Sequence, residues 1–115
     1  MPTALGKKFD KILRWARKQS IKPFKIRPMK KLAGSNQGEM VEHKLGDKTW
    51  YVIHIPRNGN LNAAVDTLFH EIAHINDITK NGWGANHSAE HSDEWGKEYS
   101  RIYRDYYEAK DGGKI

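Results

Sequence analysis

The apolar positions of this chain fall into two rhythms that lay out a helix, a small sheet and two further helices. Leu5, Phe9, Ile12, Leu13 and Ala16 recur at three- and four-residue steps, predicting an amphipathic helix over residues 4–19 with Thr3 as its cap. Pro23 and Pro28 bracket the run Phe24 to Arg27, read as an edge strand because proline has no N–H to donate to a ladder. Glu39 to Lys44 and Thr49 to Ile55 are the next strands, joined as a hairpin through Leu45-Gly46-Asp47-Lys48. In the second of these, Trp50, Val52 and His54 share one face, and Tyr51, Ile53 and Ile55 share the other. His54 reads as a surface or satisfied histidine.

Beyond the hairpin the period lengthens. Leu61, Ala64, Val65, Leu68, Ile72 and Ile75 trace one buried stripe of a helix, with Asn60 or Asn62 as cap and Asn81-Gly82 as a left-handed stop. A last helical pattern carries Trp95, Tyr99, Ile102 and Tyr106, capped by Ser88 or Ser92, with Asp93 and Glu94 at its positive N-terminal end. The expected class is α+β: an N-terminal helix, a small three-stranded, mainly antiparallel sheet, and two following helices. Residues 1–115 read as a single domain, with Lys110 to Ile115 expected to fray.

Composition narrows the chemistry. The chain has no cysteine, so a metal must rest on histidine and carboxylate. No apolar run approaches the roughly 20 residues that span a bilayer, and Met1 to Lys8 lacks a secretory hydrophobic segment. A cytoplasmic monomer is the expectation. The net charge of +6 is unevenly spread: residues 1–31 hold eleven Lys and Arg against Asp10 alone, a balance of +10, while the other 84 residues sum to −4. Such a basic arm, spanning residues 7–31, fits a nucleic acid or an acidic protein, or else simply a solvated helix face. No aromatic-plus-basic motif accompanies it in the linear sequence.

The candidate chemistry lies in His70-Glu71-Ile72-Ala73-His74. Residues four apart stand one turn above each other, so His70 and His74 can grip one metal ion while Glu71 reaches a water beside it. The competing reading is two ordinary histidines on a helix face. A zinc site needs a third protein ligand. His91 is the first candidate, because it lies just before or in the first turn of the last helix. Glu94 and His87 are the alternatives. Zinc held this way brings the pKa of its water to about 7; Glu71 would take the proton and pass it to a departing amine. An oxyanion donor is sought among His87, Tyr99 and Tyr103, and an extended substrate would pair with Thr49 to Ile55 if that strand lies at the edge.

These motifs resemble those of the SprT-like zinc metallopeptidases, in which H-E-x-x-H is followed at a similar interval by a His-Gly-x-x-Phe type motif. Here sixteen residues separate His74 from His91-Ser92-Asp93-Glu94-Trp95, and the resemblance covers about Leu5 to Tyr107. It implies a minimal zincin-like fold, a zinc ion on His70, His74 and His91, Glu71 as catalytic acid/base, and Trp95 in place of the packing phenylalanine. Ser92 replaces the glycine. The cysteine-ligated ribbon of many family members has no counterpart, so the resemblance is to the catalytic module alone. The function implied is hydrolysis of peptide bonds in a protein or peptide substrate. Two other classes stay open: a metal-dependent hydrolase of non-peptide bonds, and a binding module for nucleic acid or protein whose zinc site is structural or inactive.

Overall fold

The computed structural model describes residues 5–29, 39–56, 60–81 and 93–115. In chain order these form α1 (Lys7–Arg17), β1 (Phe24–Met29), β2 (Glu39–Leu45), β3 (Lys48–Pro56), α2 (Leu61–Asn81) and α3 (Asp93–Asp111). The architecture is α+β, with helices packed on one face of a three-stranded sheet.

Helix α1 starts later than its apolar period suggests. Gly6 has a φ of 105°, which breaks the helix there, and it serves as N-cap with its carbonyl accepting from the Asp10 N–H. Leu5 therefore lies before the helix, and Thr3 lies outside the described residues. Phe9, Ile12, Leu13 and Ala16 are buried as the stripe requires. Trp15 turns inward as well, meeting the rings of Phe69 and Tyr106 at 5.9 and 5.8 Å. The outward side of α1 is left to Lys7, Lys8, Lys11 and Arg14.

The sheet has the order β1-β3-β2. β2 and β3 form the expected hairpin, paired antiparallel from Glu39↔His54 to Leu45↔Lys48. Its two-residue loop has Gly46 at φ 61° and no positive φ at Asp47, the pattern of a type II′ turn. β1 pairs with β3 in parallel, Phe24 opposite Tyr51 through Met29 opposite Pro56. The sheet is therefore mixed, where a mainly antiparallel one was expected, and β3 is its central strand. Thr49 to Ile55 is flanked on both sides and has no free edge for a substrate. Its almost unbroken apolar run is the mark of an interior strand.

The side of the sheet bearing Phe24, Tyr51, Ile53 and Ile55 packs under α2, whose Val65, Leu68, Phe69, Ile72 and Ile75 are buried; Ile102 of α3 closes the core. Each such side chain taken fully from water contributes about 1.5–3 kcal/mol before conformational entropy is counted. α2 is capped by Asn60, whose side-chain oxygen accepts from the Ala63 N–H at 2.8 Å.

Among the core polar groups, Asn76 is 1% exposed and fully employed. It accepts from the Ile21 N–H at 2.8 Å and donates to the Gln19 carbonyl at 2.8 Å and to Glu98 at 3.4 Å. Glu98 in turn accepts from Lys80 and from Arg101, which also reaches Gln19 and Asp105. This network ties the end of α1 to both later helices.

The tail expected to fray is closed instead. Lys114 N–H bonds to the Ala109 carbonyl and Gly113 N–H to that of Lys110, with Gly113 at φ 73°, which is a Schellman motif. Ile115 packs against the core. No helix among the described residues is long and apolar enough to cross a membrane.

Candidate metal centre

Helix α2 brings the three residues of the pentapeptide together. His70 and His74 project from successive turns with their Nε2 atoms 3.1 Å apart and their ring centroids at 4.8 Å. Two zinc–nitrogen bonds of about 2.0–2.1 Å at a tetrahedral angle place their nitrogens about 3.3–3.4 Å apart, so the imidazole pair fits one cation. Glu71 Oε1 stands 3.8 Å from His70 Nε2, and one ligand atom from each of the three residues lies within 4.8 Å of the others. The exposures differ in a useful way: the His70 side chain is 31% exposed, that of Glu71 only 7%. The imidazoles therefore meet solvent at the rim while the carboxylate reaches the group from the protein side.

Helix α3 supplies a wall. Trp95 donates its indole N–H to the His70 carbonyl at 3.1 Å. Its ring lies 4.9 Å from His70 at 62° and 5.3 Å from His74 at 30°, so it covers both imidazoles. Tyr99 stacks on Trp95 at 4.9 Å and 14° and also meets the His70 ring edge-on at 6.2 Å and 76°. The helical period of α3 explains this: Trp95, Tyr99 and Tyr103 are four apart and form one aromatic ridge along α2.

Asp66 anchors that ridge and was missed from sequence. It sits one turn before His70 and accepts hydrogen bonds from the hydroxyls of both Tyr99 and Tyr103, the latter at 2.6 Å. Burial, then the Asp66 carboxylate, pushes the Tyr99 phenol up to about 12 and the Tyr103 phenol higher still. Both hydroxyls are thus held protonated and aimed at Asp66, away from the role of oxyanion donor. The available signal was the four-residue step from Asp66 through His70 to His74, a polar stripe beside the apolar one.

The remaining expected residues divide in two. Glu94 lies in the first turn of α3 with its side chain 58% exposed and paired to Lys97 at 3.5 Å; it is not brought into the His70–Glu71–His74 group. His87 and His91 lie outside the described residues, as do the caps Ser88 and Ser92. His54 is held by Glu39 at 3.0 Å on the sheet, as a satisfied histidine.

Compared with protein-family profiles, with curated proteins and with solved structures, the chain shows no match in any of the three.

Proposed function

We propose that this chain is a zinc-dependent metallopeptidase of the SprT-like type, with His70, His74 and His91 as the metal's protein ligands and Glu71 as general acid/base. The observation carrying this reading is the convergence of two imidazole Nε2 atoms and one buried carboxylate on a single point of α2. A purely structural site has no use for a carboxylate placed beside, rather than among, its ligands. Zinc bound there supplies a Lewis acid and a source of hydroxide near neutral pH. Glu71, fixed in a largely desolvated position, would take a proton from the attacking water and give it to the leaving amine. Trp95 would screen one side of the reacting centre from bulk water and hold the imidazoles in line.

The sheet order supports one place for an extended substrate. α2 packs on β3 and β2, and β2 has no partner on its outer side among the described residues. An extended peptide added to β2 would run beside the metal helix, its backbone held by ladder hydrogen bonds.

The test is Glu71→Gln, assayed for casein hydrolysis and for zinc content, with chelator-treated wild type as control. The variant should keep about one zinc per chain, as the two imidazoles are untouched, and lose at least roughly 100-fold in turnover. Undiminished hydrolysis by Glu71→Gln would overturn the reading.

A further inference from the structure

The register of the sheet assembles a second surface, on the side opposite the helices. Its rows are Lys25–Val52–Val41, Arg27–His54–Glu39 and Trp50–His43, since residues paired across strands share a face. His43 and Trp50 are parallel, with ring centroids 5.5 Å apart and planes at 11°. Lys25, Arg27, His43 and Val41 are exposed, and none of the described helices covers this side. Glu39, the acid on these rows, is already engaged by His54.

We infer that the outer face of the sheet, centred on the Trp50–His43 stack and flanked by Lys25 and Arg27, binds single-stranded nucleic acid. Charge selects a polyanion. Lys25, Arg27 and Lys48, the first residue of β3, make no ion pair among the described residues, and the basic band continues onto α1. There Arg17 donates to the Phe24 carbonyl and lies 4.9 Å over the Phe24 ring, clasping the helix to β1. Lys7, Lys8, Lys11 and Arg14 extend the band outward, again without ion pairs among the described residues. The aromatic pair then selects among polyanions. Unpaired bases stack on flat rings, whereas an acidic peptide has nothing to place on them and a duplex keeps its bases inside. His43 stands on an edge strand, so a base can continue the stack while phosphates meet Lys25 and Arg27. The basic arm was visible in the linear sequence, but its meeting with the Trp50–His43 stack was not, because the rings and the cations come from three different strands. The inference does not rest on the metal reading, and neither falls with the other.

The experiment is fluorescence anisotropy of a short labelled oligodeoxythymidine with the whole chain over a range of salt. The expected result is salt-dependent binding, weaker binding of a duplex of equal length, and no displacement by polyglutamate of matched charge. His43→Ala should weaken binding roughly tenfold, because one base no longer has a ring to stack on. Lys25→Glu with Arg27→Glu should lower the slope of log affinity against log salt by about 1.4, at about 0.7 for each single-strand phosphate left without its cation. The same charge reversal on α3, Lys97→Glu with Lys110→Glu, should leave the slope near its original value. All three variants change exposed side chains, and circular dichroism confirms their folding. Absence of binding at low salt overturns the inference, as does full affinity in His43→Ala. Equal displacement by polyglutamate would identify an acidic protein as the partner instead.

Discussion

Trp95 hangs from the backbone of His70: its indole N–H meets the His70 carbonyl at 3.1 Å while its ring lies across the His70 and His74 imidazoles. One side chain of α3 therefore sets both the height and the tilt of the imidazole pair. Trp95→Phe keeps much of the ring packing and deletes the donor. The expected cost is about 1 kcal/mol, or about 4 °C in Tm, measured by thermal unfolding. Zinc affinity should fall at the same time, because the imidazoles are then less firmly supported.

The proposed third ligand, His91, is separable from Glu94 by substitution. Glu94 pairs with Lys97 at the surface, so Glu94→Ala should leave zinc stoichiometry unchanged. His91→Ala should reduce it sharply. Metal analysis after gel filtration reads both, and full zinc retention in His91→Ala would transfer the role to His87.

Acid stability should depend on Glu98. Burial alone would raise its pKa, but the hydrogen bonds and charges of Lys80 and Arg101 outweigh burial and leave it below the usual 4.5. A carboxylate depressed in the folded state contributes stability that is complete above the usual value and lost as pH falls through the lowered one. Glu98→Gln should therefore be less stable at neutral pH, with a flatter decline on acidification in urea titrations. Its neighbour Asn76 is the harder loss. Asn76→Ala strands the Ile21 N–H and the Gln19 carbonyl, costing about 2–3 kcal/mol.

Removing the negative charge that the tyrosine pair faces should show directly in phenol titration. Asp66→Asn takes away the charge that, after burial, holds Tyr99 up at about 12. Phenolate absorbance should then rise at lower pH in the variant. An unchanged titration would mean burial alone sets the phenol.

The helices were legible in sequence because a buried stripe imposes its own period. Leu68, Ile72 and Ile75 are all fully buried, and the same geometry that buries them puts His70 and His74 on one side. The sheet order was less legible. A hairpin turn fixes β2 beside β3, but nothing local says on which side β1 joins, or in which direction. Phe24 and Ile26 must reach the core under α2, which fixes the face that β1 presents and leaves its edge and direction open. The buried pair Asn76 and Glu98 was not legible, since the two acquire their meaning from each other across 22 residues. The candidate site was read for the opposite reason. Its three described residues lie within five positions of one helix.

The hydrogen bond from Arg101 to Gln19 spans 82 residues. Closing so long a loop must await the making of nearly all the intervening chain, so on the ribosome the sheet and α2 can form well before α3 docks. Until then Trp95 is missing and the imidazoles stand uncovered. A nascent chain would thus carry His70, Glu71 and His74 without the indole that shelters them until synthesis has passed the final helix.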